Sequence, residues 1–505
     1  MDSITSIKLS NKTLPAIKSP GVMMPVADYL KLPVKVLQFG TGVLLRGLTD
    51  HVIDKANRKG IFNGRIAVVK STNTGKTDAF AEQDNLYTLQ MKGIKNKQLT
   101  EETVINASIS HVLSAADEWD NVLKEAENPQ LKVVISNTTE VGLQLVEEDI
   151  NQQPPASFPA KLLAVLYHRY KTFKGSNDSG LVIIPTELLP DNATILKSII
   201  TKLIAFNKLD AGFEQWVNEN NHFCNSLVDR IVTGRPSAHE QQLFEEKNGY
   251  QDELLIVSEP YLLWAIEGND TVRDLLSFEQ ADEGVTVIPD IEVHRELKLR
   301  LLNGTHTLSC ALAFLTGFEH VNTASEDPKF ADFLQGLMAE VRAAMPNTDS
   351  KLAGDFSDSV LDRFRNPYIQ HQWIAIAQQY TTKIITRVVP ILKAHYKVHN
   401  RAPVYITKGF AAYVLFLSTI KKDGDAYYAL YKNVKYPFKD DKAIILIEKL
   451  TDYDAGSMAV AILSSSEVWG EDLTTLSGFA DAVQNYLTKL TNGNLTTVSN
   501  GINLS

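Results

Sequence analysis

The sequence predicts an α/β protein in which a Rossmann-like, doubly wound sheet domain is followed by a mostly α-helical domain. Three observations support this prediction. Short apolar runs suited to buried parallel strands recur through the first half of the chain, a glycine turn follows the first of them, and long helical segments replace them after Asp290. We therefore expect a dinucleotide-binding domain over residues 1–285 and a helical domain over residues 286–505.

The first 32 residues are expected to form an irregular lead-in, because four prolines discourage long helices. A strand over residues 34–39 should come next, followed by a helix that ends near Asn57. Strand, glycine turn, helix and strand form the start of a doubly wound sheet. Further strands are expected at residues 65–69, 131–135, 181–184 and 254–257, with a helix around residues 115–126.

Beyond residue 290 the apolar residues recur with helical spacing. This spacing predicts helices over residues 292–316, 327–344, 369–397, 405–421 and 439–450.

Length and composition agree with a two-domain cytoplasmic protein. A chain of 505 residues exceeds what one hydrophobic core usually serves. The formal net charge of -10 argues against a nucleic-acid partner, because such proteins normally present a basic face. No run approaches the ~18 apolar residues of a membrane span, and the first 30 residues lack the apolar core of a signal peptide. Two cysteines, Cys224 and Cys310, suit a reducing compartment.

Gly40-Thr-Gly42 lies where a dinucleotide fingerprint is expected, after a strand and before a helix. Glycines at such a turn let the backbone approach a pyrophosphate. The third glycine of the pattern is displaced to Gly47, so a plain tight turn is the alternative. We predict that Phe39, Gly40 and Gly42 contact the cofactor, and that Arg46 pairs with a phosphate if it faces the turn.

The acidic residue that usually holds the adenosine ribose should follow the second strand, but the chain has Lys70-Ser-Thr-Asn73 there. Two alternatives stay open. Either Ser71 and Asn73 hydrogen-bond the ribose of NAD, or Lys70 and Lys76 favour the 2′-phosphate of NADP.

A polar segment, Ser136-Asn-Thr-Thr-Glu140, follows the strand predicted at residues 131–135. Ligands of doubly wound sheets bind at the carboxyl ends of the strands. Asn137 and Thr138 are therefore predicted to line the nicotinamide ribose and the substrate. A helix cap formed by Thr138 or Thr139 is the alternative, and both roles can hold together.

Lys298, Asn303 and His306 place a proton carrier and two neutral hydrogen-bonding groups on one predicted helix. Hydride addition to a ketone leaves negative charge on oxygen, so the site needs an acid and aimed donors. Lys298 begins about 12 Å of helix rise before His306. Its long side chain, or a break near Gly304, must close that gap. The alternative is that these residues lie on the solvated face of an amphipathic helix.

Arg363 and Lys383 of the helical domain are candidates to clamp a substrate carboxylate. The alternative for a single arginine is helix capping or bracing. Asp229 is a further candidate substrate ligand, although an Asp-Arg pair such as Asp229 with Arg230 is commonly structural.

Together these stretches resemble the polyol-specific long-chain dehydrogenase/reductase family, also called the mannitol dehydrogenase family. The resemblance covers the chain from about Val34 to the C-terminal region. It rests on Phe39-Gly-Thr-Gly-Val-Leu-Leu-Arg46, Val228-Asp-Arg-Ile231, Glu259-Pro260 with Trp264, Arg363-Phe-Arg-Asn-Pro367, and the spacing of Lys298, Asn303 and His306. The resemblance implies a metal-independent oxidoreductase in which Lys298 is general acid/base while Asn303 and His306 hold the reacting oxygen.

The resemblance also implies the partners: NAD, with NADP possible, and a small keto-uronate or its aldonate. Polyol enzymes of the family tend to have an acid-amide pair where this chain has Glu187-Leu188, and Asn192 is the candidate substitute for the amide. The alternatives are another keto-uronate reductase, a mannitol-type polyol dehydrogenase, or a nucleotide-binding regulatory protein without turnover. The presence of Lys298, Asn303 and His306 together argues against a regulatory protein, because a protein that only binds nucleotide does not need these three residues. The sequence predicts no oligomeric state.

Overall fold

The structure, a computed structural model, describes residues 7–71, 77–138, 140–345, 348–431, 434–450 and 456–492. The chain divides into two compact units, one of Met1–Lys92 with Leu99–Glu292 and one of Gly93–Gln98 with Val293–Ser505. The domain boundary near residue 285 that the sequence indicates stays a prediction. Within the described ranges, every helix is too short or too polar to cross a membrane.

The first unit contains short strands and the helices that connect them. Its strands are β1 (Ile7–Lys8), β2 (Val22–Met23), β3 (Val34–Phe39), β4 (Arg65–Lys70), β5 (Tyr87–Lys95), β6 (Gln98–Asn106), β7 (Ile109–Ser114), β8 (Val133–Ser136), β9 (Val182–Pro185), β10 (His222–Phe223), β11 (Ser226–Asp229), β12 (Val232–Gly234), β13 (Tyr250–Gln251), β14 (Ile256–Ser258), β15 (Leu263–Glu267) and β16 (Val285–Ile288). Its α-helices are α1 (Val43–Gly47), α2 (Thr49–Arg58), α3 (Asp78–Glu82), α4 (Trp119–Glu125), α5 (Phe158–Phe173), α6 (Asn192–Phe206), α7 (Ala211–Asn220), α8 (Ala238–Asn248) and α9 (Asp270–Leu275).

The main sheet of this unit is parallel, with the strand order β10-β9-β8-β3-β4-β7. The chain winds outward from β3 through β4 to β7, then returns to the other side of β3 and continues through β8, β9 and β10. This order is that of a doubly wound dinucleotide-binding sheet, whose switch point lies between β3 and β8. The predicted Rossmann-like fold is confirmed.

Successive residues of the central strands enter two different cores. Val36 of β3 packs in a core that includes α1 and α2, while Leu37 and Phe39 pack in a second core that includes α4 to α7. In β8, likewise, Val134 faces the second core and its two neighbours face the first. Burial on both faces explains why these strands read as continuous apolar runs.

The predicted strands at residues 34–39, 65–69, 131–135 and 181–184 correspond to β3, β4, β8 and β9. The strand predicted at 254–257 corresponds to β14, which lies in a separate sheet with the order β12-β14-β5-β6-β2. The strands β5, β6, β7, β10 and β12 of these sheets were not predicted, and in β5, β6 and β7 polar residues interrupt the apolar run.

Two predictions about the first sixty residues were wrong. The lead-in is not wholly irregular, because β1 pairs with β13 and β2 pairs with β6. The prolines lie outside these two short strands and do not prevent the pairing. The helix expected to end near Asn57 is also divided, since Leu48 has φ -124° and ψ -80° between α1 and α2.

The second unit is mostly helical, as predicted. Its α-helices are α10 (Glu292–Leu297), which spans the division, α11 (Thr305–Leu315), α12 (Val321–Glu326), α13 (Pro328–Ala343), α14 (Ser350–Phe364), α15 (Trp373–Ile376), α16 (Tyr380–Lys383), α17 (Val389–His399), α18 (Val404–Thr419), α19 (Asp441–Leu450), α20 (Met458–Leu463), α21 (Ser466–Trp469) and α22 (Phe479–Asn492). An antiparallel sheet of β17 (Lys421–Asp423), β18 (Ala426–Tyr431) and β19 (Val434–Phe438) accompanies them.

Two π-helices interrupt the predicted helices. The first (Lys298–Gly304) joins α10 to α11, and the second (Ile384–Val388) joins α16 to α17. The single helix predicted over residues 369–397 is wrong, because Gln379 adopts a left-handed conformation with φ 51°. A new helix begins there, and its N-terminus is capped by Asp440, whose Oδ2 accepts from the Thr381 amide at 2.6 Å. The sequence did not show this cap because it comes from 59 residues away.

Candidate active site

The predicted catalytic residues lie on and beside the first π-helix. Lys298 begins it, Asn303 is its penultimate residue, and His306 is the second residue of α11. Hydrogen bonds in a π-helix join residues five apart, so Lys298 and Asn303 stand one turn from each other. The break expected near Gly304 therefore takes the form of a wide helical turn, a feature that is frequent at functional sites.

Aromatic rings fix the imidazole of His306. Its ring stacks on that of Phe364, with centroids 4.1 Å apart and planes 22° apart. The rings of His371 and Trp373 approach it edge-on, with centroid distances of 5.3 Å and 6.1 Å. These contacts on different sides leave the imidazole little freedom to rotate.

Burial and nearby cations keep His306 neutral. Burial is the larger cause that lowers the pKa of its imidazole well below the usual value. His371, Arg363, Arg387 and Lys383 lower the pKa further, because each disfavours a second positive charge. At neutral pH the ring is thus a neutral hydrogen-bonding group and not a source of protons. Two residues predicted from the sequence, Arg363 and Lys383, belong to these surroundings.

Lys383 and Arg387 are half-buried cations one helical turn apart. The Lys383 ammonium donates to the carbonyl of Ile376 at 2.8 Å, and Arg387 Nη1 donates to the hydroxyl of Thr307 at 3.3 Å. Burial lowers the pKa of both groups. Neither cation forms an ion pair with a carboxylate of the described residues. The cluster can therefore accept an anion from outside the chain.

The glycine turn lies at the switch point of the sheet in the first unit. Gly40 has φ +128°, and a Cβ there would lie 3.0 Å from the carbonyl oxygen of Asn137 and 3.1 Å from Leu45 Cδ1. Only glycine suits this position. A Cβ at Gly42 would have no described atom within 4 Å, so open space adjoins the turn. Phe39 ends β3 with its ring buried against Phe158, which leaves its backbone at the turn.

The polar segment after β8 is held by the segment after β9. Asn137 Nδ2 donates to the carbonyl and the hydroxyl of Thr186, both at 3.0 Å. The amide and the hydroxyl of Thr138 donate to Glu187 Oε1 at 2.9 Å and 3.0 Å. Glu187 is buried, and burial raises the pKa of its carboxyl. These bonds hold Asn137 and Thr138 at the carboxyl edge of the sheet.

The hydroxyl of Ser71, just beyond β4, is buried and has no hydrogen-bond partner among the described residues. Leaving a buried hydroxyl unpaired is costly, so a ligand hydroxyl is a natural partner. Open space at Gly42, this hydroxyl and the switch point together fit a dinucleotide. The other predicted ribose ligand, Asn73, and Lys76 lie outside the described residues.

Arg46 faces the interior of the first unit and not the glycine turn. Its Nη1 donates to the carbonyl of Leu254 at 2.8 Å, and its guanidinium lies over the rings of Phe80 and Tyr87. The condition for the predicted phosphate contact, that Arg46 faces the turn, is not met.

Asn192 is fully buried and its amide is engaged by the backbone. Nδ2 donates to the carbonyls of Pro185, Glu187 and Ser226 at 3.0 to 3.1 Å, and Oδ1 accepts from the Ser226 amide at 3.0 Å. These bonds tie the start of α6 to β9 and β11. Asn192 therefore has a structural role in this arrangement, which differs from the predicted contact with the substrate.

Asp229 is buried at the end of β11, beside Arg230. Arg230 donates to the carbonyl of Glu259 through Nε and Nη2, at 3.0 Å and 2.9 Å, and to the carbonyl of Gly47 at 2.5 Å. The arginine of the pair is thus structural. The role of Asp229 as a substrate ligand stays a prediction.

Comparison with known proteins identifies the family. Residues 34–280 match the profile of the mannitol dehydrogenase Rossmann domain, and residues 290–491 match that of the mannitol dehydrogenase C-terminal domain. The chain belongs to the mannitol dehydrogenase family. It is 36% identical over 463 residues to the altronate oxidoreductase of Halalkalibacterium halodurans, with 90% of each chain covered. It is 35% identical over 464 residues to that of Bacillus subtilis, covering 91% of this chain and 93% of the relative.

Solved structures of mannitol dehydrogenase type share this fold. The mannitol 2-dehydrogenase of Pseudomonas fluorescens, determined with NAD and D-mannitol, superposes with a TM-score of 0.64 at 21% identity, covering 97% of this chain and 98% of that one. A substrate-free D-sorbitol dehydrogenase superposes with a TM-score of 0.74 at 20% identity, covering 97% and 99%. The resemblance inferred from sequence motifs is confirmed, and the protein is an oxidoreductase. The family and the strand order support a nicotinamide cofactor.

Arg387 and His371, two neighbours of His306, were not predicted from the sequence. Arg387 lies four residues after Lys383, a spacing that places both on one helical face and could have drawn attention to it. His371 lies near the start of the helix predicted over residues 369–397, and none of the motifs found in the sequence included it. Across the described residues, no group of three His, Cys, Asp or Glu side chains is placed to hold a metal ion.

Proposed function

We propose that this protein is a tagaturonate reductase, also called altronate oxidoreductase, which interconverts D-tagaturonate and D-altronate with NAD(H). The observation that most supports this proposal is the set of cations around His306: Arg363, Lys383 and Arg387. A carboxylate drawn into a partly dry site needs such partners, because burying it unpaired would cost several kcal/mol. An uncharged polyol has no need of three cations.

The names of the curated relatives support the same substrate. Both relatives described above are called altronate oxidoreductase and match this chain over nine-tenths of its length. The buried free thiols of Cys224 and Cys310 suit a reducing cytoplasm, where we place the reaction.

Lys298 is proposed as the general acid/base. When bound, the reduced nicotinamide supplies hydride to the ketone carbon. Lys298 donates a proton to the ketone oxygen during reduction, and it accepts the hydroxyl proton during oxidation. A different role is proposed for His306, because its surroundings disfavour the protonated imidazole that would have to donate the proton during reduction.

Asn303 and His306 are proposed to stabilise the charge that develops on the reacting oxygen. The Asn303 amide and the neutral imidazole of His306 are both N–H donors. Donors that are fixed before the reaction need no reorganisation when charge appears. The rings of Phe364, His371 and Trp373 supply that fixation for His306.

The first unit is proposed to hold the cofactor. The backbone at Phe39, Gly40 and Gly42 would receive the pyrophosphate, and the Ser71 hydroxyl would bind the adenosine ribose. Asn137 and Thr138 would lie beside the nicotinamide ribose. We propose NAD over NADP, as in the Pseudomonas fluorescens mannitol 2-dehydrogenase that was solved with NAD.

A cofactor-oxidation assay with D-tagaturonate, D-fructuronate and D-fructose tests the substrate. We expect the highest kcat/KM for tagaturonate. A higher value for fructuronate would identify a fructuronate reductase. Equal efficiency with fructose would show that the carboxylate is not recognised, and would favour a polyol dehydrogenase. Comparing NADH with NADPH in the same assay tests the cofactor, and an NADPH advantage would point to Lys70 and Lys76 as phosphate ligands.

A further inference from the structure

The two π-helices are fastened to each other by Arg300. Its Nη1 donates to the carbonyls of Thr386 and Arg387 at 2.8 Å and 3.2 Å, while Nε and Nη2 bond to Glu296. A Cβ at Gly304 would lie 3.3 Å from the Ile391 side chain, so glycine permits this close approach. The second π-helix thus has a fixed position against the helix that bears the catalytic signature.

The side chain of Arg387 is anchored on that same signature. Its Nη1 donates to the hydroxyl of Thr307, and this hydroxyl donates in turn to the carbonyl of Asn303 at 2.7 Å. Thr307 directly follows His306. Thr307 therefore fixes the position of the Arg387 guanidinium relative to Asn303 and His306, the two residues proposed to bind the reacting oxygen.

Most donors of Arg387 remain available. A guanidinium has five N–H donors, and the Thr307 hydroxyl is their one hydrogen-bond partner among the described residues. The neighbouring Lys383 differs, because its ammonium is drawn back to the carbonyl of Ile376. Two parallel N–H groups of an arginine also match the two oxygens of a carboxylate, which a lysine cannot do.

We propose that Arg387 receives the substrate carboxylate in a two-point contact and makes the site selective for a sugar acid over an uncharged ketose. The inference rests on the proposed function for its natural substrate. The ligand class is a polyhydroxy carboxylate, oriented with its carboxylate on the second π-helix and its carbonyl or hydroxyl carbon toward Asn303 and His306.

Kinetics of Arg387→Gln and Arg387→Lys test the proposal. For Arg387→Gln we expect KM for tagaturonate to rise roughly 30-fold or more, since a charged partner in a partly buried pair is lost. KM for fructose should stay near the wild-type value, and kcat should change little. Arg387→Lys should recover part of the loss, because it keeps the charge but not the fork. Arg235→Gln, an exposed arginine paired with Glu253, is the control and should change neither KM.

A second pair of variants tests the anchor without touching the charge. Thr307→Val removes the hydroxyl that holds Arg387, and Thr307→Ser keeps it. We expect a raised KM for tagaturonate only in Thr307→Val. An equal rise for both substrates in Arg387→Gln would overturn the proposal, because Arg387 would then only maintain the fold of the site.

Binding of D-gluconate separates this proposal from the proposed function. Calorimetric titration of the wild type with D-gluconate and with the uncharged D-sorbitol needs no turnover. We expect tighter binding of gluconate, and loss of that preference in Arg387→Gln. If the wild type reduces no keto-uronate but still shows this pattern, the proposed function fails and the carboxylate site stands. If the preference survives in Arg387→Gln, the assignment to Arg387 is wrong whatever the substrate.

Discussion

Arg169 in the first unit and Arg387 in the second differ in what surrounds their guanidinium groups. Arg169 in the first unit is fully buried and donates to the carbonyls of Ser179, Ala126, Asn128 and Leu131. Arg387 in the second unit is half-buried, and its guanidinium has one hydrogen-bond partner, the Thr307 hydroxyl, in the part of the chain that the structure describes. A guanidinium saturated by backbone carbonyls holds segments together and has nothing left for a ligand. One with spare donors beside a catalytic signature is suited to bind substrate.

The same contrast separates two asparagines. Asn192 is surrounded by the backbone atoms that it bonds, whereas Asn303 lies on a wide helical turn beside a neutral histidine. Residue type alone does not distinguish these cases. The number and kind of partners that each side chain already has decides between a structural and a ligand-directed role.

The largest effect is expected at Lys298, which is proposed to act directly on the substrate. Lys298→Ala should lower kcat by roughly 10²-fold or more, the usual contribution of a general acid/base. Binding of NADH, measured by fluorescence titration, should be nearly unchanged, because the proposed cofactor contacts lie in the first unit. Near-normal turnover in a folded Lys298→Ala protein would reject the proposed role.

The opposite result is expected for a saturated arginine. Arg169→Met should lower the free energy of unfolding by about 2 kcal/mol or more, because four backbone carbonyls, three of them in fully buried contacts, lose their donor. Protein that remains folded should keep the wild-type ratio of kcat/KM for tagaturonate and fructose. Urea denaturation and the substrate panel measure the two quantities. A changed substrate ratio with unchanged stability would break the comparison.

Local patterns allowed much of the fold to be predicted from the sequence. Apolar runs located β3, β4, β8 and β9, and helical spacing located α10, α11, α13, α18 and α19 of the second unit. The π-helices were not predicted, because a single wide turn leaves the helical apolar pattern almost intact. Arg46 and Asn192 were interpreted as ligand contacts because a linear sequence does not show that they bond backbone atoms up to 208 and 34 residues away, respectively.

Gly40 and Gly42 allow a structural role and a ligand-directed role to be compared within the first unit. Gly40→Ala should lower the free energy of unfolding by about 1–3 kcal/mol, because its φ of +128° and its contact with Asn137 suit glycine alone. Gly42→Ala should leave stability unchanged, since no described atom lies near the added methyl group. It should weaken NADH binding, because the methyl group would occupy the space proposed for the pyrophosphate. Unfolding and NADH titration separate the two effects, and unweakened binding by Gly42→Ala would place the cofactor elsewhere.

The smallest expected effect concerns two histidines whose pKa values are lowered, His306 in the second unit and His51 in the first. Burial lowers the pKa of both well below the usual value near 6.5. A histidine whose folded pKa is lowered contributes its full stability above pH 6.5 and loses it as the pH falls, because the unfolded chain then binds the proton first. The loss is limited to about 1.4 kcal/mol per pH unit for each histidine.

The test measures the free energy of unfolding of the wild type, His306→Asn and His51→Asn from about pH 7.5 to about pH 5. We expect this free energy to fall less steeply with decreasing pH in both variants than in the wild type. Turnover should separate them, because only in the His306→Asn protein does a shorter side chain replace the donor proposed to contact the reacting oxygen. If His51→Asn reduced kcat as strongly as His306→Asn while remaining folded, the distinction between structural and ligand-directed polar groups would fail for histidine.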